Sequence, residues 1–142
     1  MTKINVPLKL IAIEKDGFHL IVKSIINGKS ARLLLDTGAS RTVFDINNKI
    51  KFMKKQEMIK NNSLSTGLGT DKMISHTSFI KKFSIDKLVI FDYEGVFIDL
   101  SIVNSSYEKL NLKPIDGVLG SDLLKQFNAI INFEKQTLTF KV

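Results

Sequence analysis

The feature that most constrains this chain is a succession of short runs of Ile, Val, Leu and Phe, broken by turn residues about every eight to twelve positions. Runs that short cannot be long helices. They predict an all-β fold, a barrel or sandwich with one or two short helices. Residues 3–13 alternate, with Ile4, Val6, Leu8 and Leu10 on one face and Lys3, Asn5, Pro7 and Lys9 on the other. Pro7 has no N–H for a ladder, which predicts an edge strand. Asp16-Gly17 reads as a turn into Phe18–Ile26, and Asn27-Gly28 is a two-residue type I′ hairpin signal leading into Ser30–Leu35. The run Leu33-Leu34-Leu35 is apolar enough to be buried on both faces, and it ends at Asp36.

Farther along, Ile46, Ile50, Met53, Met58 and Ile59 are spaced for a short amphipathic helix within 45–60. The Asn-, Ser-, Thr- and Gly-rich stretch from Asn61 predicts an exposed hairpin with its tip around Gly67-Leu68-Gly69-Thr70. Strands are expected over His76–Ile85, Lys87–Tyr93 and Val96–Val103, then a helical turn near Ser105–Leu110. After Pro114 comes Val118-Leu119-Gly120, with Ser121 or Asp122 placed to cap a brief helix over Leu123–Phe127. Strands over Ala129–Phe133 and Thr137–Val142 complete the pattern. Leu34-Leu35-Asp36-Thr37-Gly38 and Val118-Leu119-Gly120-Ser121-Asp122 repeat one theme, an apolar strand end before a Gly-containing corner, which suggests two similar halves around one centre.

Composition removes several classes of function. At 142 residues the chain is expected to form one domain, 1–142, with an ordinary core. It has no cysteine, so disulfides, thiolate zinc sites and cysteine nucleophiles are excluded. The longest stretch free of charge, Asn61–Thr70, is polar and too short to cross a bilayer, and Lys3, Pro7 and Lys9 interrupt any signal-like apolar run. A cytoplasmic protein with no membrane partner is expected. Lys and Arg outnumber Asp and Glu by 21 to 14, giving +7. Only Arg32 and Arg41 among these are arginine, and the one real lysine cluster, Lys49, Lys51, Lys54, Lys55 and Lys60, fits a solvated helix face. Nucleic acid is therefore not an expected partner. His19 and His76 have no neighbours at metal-ligand spacing, so neither a metal nor a cofactor is expected.

Chemistry concentrates at Asp36-Thr37-Gly38-Ala39-Ser40, where a carboxylate closes a buried strand ahead of a hydroxyl and a glycine. Alone, the segment would equally suit an Asx turn. With its flanks, and with Asp116-Gly117-Val118-Leu119-Gly120 farther on, it resembles the retropepsin-like aspartic proteases, the retroviral enzymes and their single-lobe bacterial relatives, over about residues 22–142. The resemblance includes an Asn-Gly-Lys hairpin before the Asp-Thr-Gly strand, a glycine-rich flap and a terminal strand pair. It implies a single-lobe acid-protease barrel. In that family two lobes each supply one Asp-Thr-Gly, and this chain holds one such motif. The resemblance thus implies a homodimer in which two copies of Asp36 share one proton and activate water against the peptide bond of a peptide or protein substrate.

By the same resemblance, Thr37 would hydrogen-bond across the two-fold axis and Gly38 would bring its N–H to the carboxylate. Ala39 stands where pepsin-type enzymes often carry a serine that bonds the aspartate, which points to activity at mildly acidic pH. Gly67, Leu68 and Gly69 would form the flap tip over the substrate, and Gly120 would lie under the catalytic loop, where a side chain would collide. Two readings stay open beside this one. Asp116 could supply a second carboxylate within one chain, although an Asp-Gly turn also explains it. The whole could also be a catalytically silent peptide-binding module of the same fold. In the retroviral enzymes interleaved terminal strands make much of the dimer interface, a role that here would fall to Met1–Leu8 and Thr137–Val142.

Overall fold

The computed structural model describes residues 2–53, 59–67 and 70–142, with the backbone alone for 59–67 and 70–73. In chain order the strands are β1 (Lys3–Ile13), β2 (Gly17–Ile26), β3 (Lys29–Leu35) and β4 (Val43–Asp45). A 3-10 turn (Ile46–Asn48) and the single turn α1 (Lys49–Phe52) precede β5 (Ile59–Gly67), β6 (Thr70–Ile85) and β7 (Leu88–Ile98). Helix α2 (Ser101–Lys109), β8 (Gly117–Leu119), α3 (Ser121–Gln126), β9 (Ile130–Asn132) and β10 (Thr137–Lys141) follow.

The strands form one sheet in the order β5-β6-β7-β4-β8-β3-β2-β1-β10-β9. A further pairing of β2 with β6, Ile25 opposite Ser84 and Ile26 opposite Phe83, closes six of them into a barrel. The expected mainly β architecture is what the chain adopts. Strand β1 explains how the remaining strands attach. Its first half pairs with β10 and its second half, from Leu8, with β2, so Pro7 falls at the changeover where a missing N–H interrupts neither ladder. At the other end of the β1–β10 ladder, Thr2 and Val142 exchange two backbone hydrogen bonds of 2.7 and 2.9 Å. The terminal strands are therefore paired with each other inside one chain.

Burial follows the alternation. Ile4, Val6 and Leu8 of β1 join Leu33, Leu35, Leu138 and the fully buried Phe44, Phe83, Phe97 and Phe140 in the main core. Phe44 meets Phe83 edge-on, with ring centroids 5.4 Å apart, an arrangement that suits the ring quadrupoles. A second apolar layer lies on the other face of the sheet, where Ile21, Val43, Val96 and Val118 are covered by Leu100, Tyr107 and Ile115 from α2 and its flanks. Strands β3 and β8 contribute to both layers, which is why they read as unbroken apolar runs. The hairpin at Asn27-Gly28 has both residues at positive φ, 49° and 82°, as a type I′ turn requires.

Several local expectations differ from the structure. At the first turn Glu14, with φ 59°, takes the left-handed position, and Gly17 begins β2 instead. The helix expected within 45–60 amounts to the 3-10 turn and α1. Ile50, expected on its apolar face, is 81% exposed, Phe52 and Met53 are buried, and by Ile59 the chain has joined β6 as a strand. Met58, like Lys54 and Lys55, lies outside the described residues. The strands expected over Lys87–Tyr93 and Val96–Val103 are one strand to Ile98, running through Gly95. Helix then starts at Ser101, because Asp99 Oδ1 accepts the Ser101 N–H at 2.9 Å and turns the chain out of the sheet.

Candidate active site

Strand β8 is only three residues long, yet it organises the site. It pairs parallel to β3, with Leu33 opposite Gly117 and Leu35 opposite Leu119, and antiparallel to β4, with Val43 opposite Val118. It thus lies between two strands that are consecutive in sequence, and residues 36–42, which join those strands, must cross its end. The two Gly-containing corners of the sequence are thereby set side by side. The Asp36 N–H donates to Leu119 O at 3.0 Å, and the Ser121 N–H donates to Ala39 O at 2.8 Å.

Gly120 shows how tight the crossing is. Its backbone is extended, so conformational freedom is not what it supplies. A Cβ there would lie 2.6 Å from the Arg41 carbonyl carbon and oxygen and 2.8 Å from Ala39 O, so the loop rests directly on it. This is the place expected for Gly120. Gly117 is confined likewise, a Cβ falling 2.6 Å from Val43 O.

Within the loop, Asp36 is half-buried and its Oδ1 accepts the Gly38 N–H at 2.9 Å. A Cβ on residue 38 would come within 3.2 Å of that oxygen. Thr37 and Gly38 are exposed, whereas Ala39 turns inward to the second apolar layer. An open hollow of about 460 Å³ lies beside Thr37, walled by Ser121, Leu124 and Ile131 among others. The expected flap hairpin is present as β5–β6, with Gly67 opposite Thr70, while Leu68 and Gly69 lie outside the described residues.

Sequence reasoning missed the far end of the loop. Thr42 is only 1% exposed, and both its N–H and its hydroxyl donate to Asp122 Oδ1, at 2.9 and 2.7 Å. The same hydroxyl accepts the Gly120 N–H at 3.0 Å. Asp122 lies in the first turn of α3, as expected of a helix-start residue, but it caps nothing, for the helix begins after Gly120 without a side-chain cap. No local signal could have paired two residues on separate elements. Tyr93 of β7 shares a hollow of about 250 Å³ with Arg41, Thr42 and Asp122. Burial pushes its phenol up to about 12, the Asp122 carboxylate adds to the rise, and Arg41 and the bond with Thr42 oppose it.

The other carboxylate of interest, Asp116, does not meet Asp36. It is 9% exposed, and its oxygens accept the Arg32 N–H and the Asn48 amide, each at 2.8 Å, with Lys51 Nζ at 3.9 Å. Asp116 stands beside Arg32, four residues down β3 from Asp36, a separation of about 13 Å at about 3.3 Å per residue. His19 bonds the Tyr107 hydroxyl at 2.6 Å, and among the described residues no group of three His, Asp or Glu could hold a metal ion.

Comparison with known proteins agrees with this architecture. The model of the aspartyl protease family matches residues 22–123. The chain belongs to that family. Among solved structures it is similar to a retropepsin-like aspartic protease from Rickettsia conorii, at 18% identity and a TM-score of 0.58 over 98% of this chain and 89% of that one. The retroviral protease-like domain of Ddi1 from Leishmania major gives 15% identity and a TM-score of 0.57 over 86% and 87%. EIAV protease in complex with an inhibitor gives 15% and 0.54 over 87% and 100%. A search of curated proteins returned no match. The fold is accordingly retropepsin-like. None of the described helices is long and apolar enough to cross a membrane.

Proposed function

We propose that the protein, acting as one domain over residues 1–142, is a cytoplasmic aspartic endopeptidase that works as a homodimer. The observation that carries this reading is the setting of Asp36. It is the carboxylate at the end of a buried strand, fixed by its backbone, with a single N–H bonded to one oxygen among the described residues. Asp116 is committed to Arg32 and Asn48, and Asp122 to Thr42. A partner for Asp36 would therefore be the same residue of a second copy.

Two carboxylates about 3 Å apart cannot both ionise, so the pair holds one proton. The ionised member would take a proton from water, and that water would attack the peptide carbonyl while the other member donates to the developing oxyanion. The proton taken from water would then pass to the amide nitrogen, so that the C–N bond breaks and the amine leaves. Thr37 would bond across the two-fold axis. Gly38 would hold the ionised oxygen through its N–H. Ala39, whose side chain faces the second apolar layer, would meet the substrate through its backbone, and Gly67, Leu68 and Gly69 would close over an extended peptide that adds to the flap as a strand. No cofactor, nucleic acid or membrane enters the scheme.

The decisive experiment compares wild type with Asp36→Asn against a mixed peptide library, with sedimentation of both. The wild type should sediment as a dimer and cut, and the variant should dimerise without cutting. Equal cutting by both would sink the assignment.

A further inference from the structure

We infer that Asp122 is a positioning residue for Asp36: through Thr42 its carboxylate ties down the far end of the 36–42 loop and so fixes where the reacting carboxylate stands. This inference rests on the protease reading above. The near end of the loop is held by the Asp36 N–H on Leu119 O and its middle by the Ser121 N–H on Ala39 O. The far end is held by three hydrogen bonds that all pass through Thr42, two of them to Asp122 Oδ1. They run in one direction, from the Gly120 N–H to the Thr42 oxygen and from the Thr42 hydroxyl to the carboxylate. Such a chain polarises each of its members.

Thr42 is 1% exposed, so in the intact loop its N–H and hydroxyl are turned from solvent and depend on Asp122 as their acceptor. An ionised acceptor also makes the two bonds shorter and stronger than an amide would. The loop cannot take up slack by sinking, because Gly120 already touches its backbone from below. Loosening the tether would lift the loop and move Asp36 outward. Displacements of about 1 Å can cost on the order of 100-fold in rate. In a homodimer one substitution would loosen both reacting carboxylates at once.

Asp122→Ala, Asp122→Asn and Thr42→Val, made in the full chain, test this. Asp122→Ala should lower kcat by about tenfold or more, with KM held within about twofold, because the tether acts on geometry and not on substrate contacts. Asp122→Asn keeps an acceptor oxygen and should recover most of the loss, and Thr42→Val should behave like Asp122→Ala. Amide exchange at Gly120 and Thr42 should quicken in Asp122→Ala while the core stays protected. An Asp122→Ala enzyme with unchanged kcat would overturn the inference, as would Asp122→Asn as slow as the alanine variant. If Asp122→Ala does not fold, Thr42→Val decides, and unchanged kcat there overturns it. A wild type that cuts nothing would remove the catalytic role together with the protease reading, and is read separately because the exchange experiment needs no turnover.

Discussion

Carboxylates at the two ends of β8 have opposite settings. At its start, Asp116 and the neighbouring Asp45 are buried and saturated. Asp45, 4% exposed, accepts from Asn47, Leu100 and Asn104, and Asp116 accepts from Arg32 and Asn48 and pairs at 3.9 Å with the Lys51 ammonium. At its end, Asp36 is anchored through its backbone while its side chain holds one bond among the described residues. Saturation spends a carboxylate's lone pairs on holding the fold together. An anchored but underbonded carboxylate keeps its oxygens available for a ligand or a proton, so under the proposed function the two ends of one strand would divide into a structural and a chemical role.

The sharpest way to break that comparison is to remove the charge at each end. Asp36→Asn should cost on the order of 100- to 10,000-fold in kcat while leaving unfolding free energy within about 0.5 kcal/mol. Asp116→Asn should do the reverse, keeping activity per folded molecule and losing about 1–3 kcal/mol in urea denaturation as its donors lose a charged acceptor. A second pair separates loop from barrel. Gly120→Ala and Gly117→Ala both force a Cβ against backbone at 2.6 Å, and each should destabilise by about 1–3 kcal/mol. Only Gly120→Ala should also depress kcat beyond its folded fraction, because only it lifts the loop that carries Asp36.

The smallest effect belongs to Asp99, at the exposed end of β7. Hydrogen bonds from Ser101, first, and then Asn47 hold its carboxyl below the ordinary 3.8. A depressed value stabilises the fold at pH above 3.8, and the contribution is lost as pH falls through the lower folded value. Asp99→Asn should therefore cost less than about 1 kcal/mol near neutrality, where solvent screens the group, and the difference from wild type should shrink in denaturation curves taken at progressively lower pH below 3.8.

Much of the barrel was legible because its signals are local. The alternation from Lys3 to Leu8, the Asn27-Gly28 turn and the apolar run into Asp36 depend on neighbours in sequence, and the structure keeps all three. The crowding at Gly120 followed from the family resemblance. What stayed hidden depends on distant partners. Ile50 sits at a helix-compatible spacing, but the sheet recruits the chain soon after it, leaving one turn with an outward isoleucine. Asp122 looks like a cap until the fold puts Thr42 beside it. Ser101 begins a helix where β-branched residues suggested strand, because the preceding aspartate captures its N–H.

The threading of β8 also sets an order of events during synthesis. Arg32 and Asp116, partners across that strand, are 84 positions apart, and the loop between them must close before the crossing can form. A nascent chain still short of residue 117 holds Asp36 with neither the strand beneath it nor the corner that moors its loop. The ribosome therefore releases a polypeptide in which the loop carrying Asp36 gains its floor and its mooring only from the last quarter of these residues.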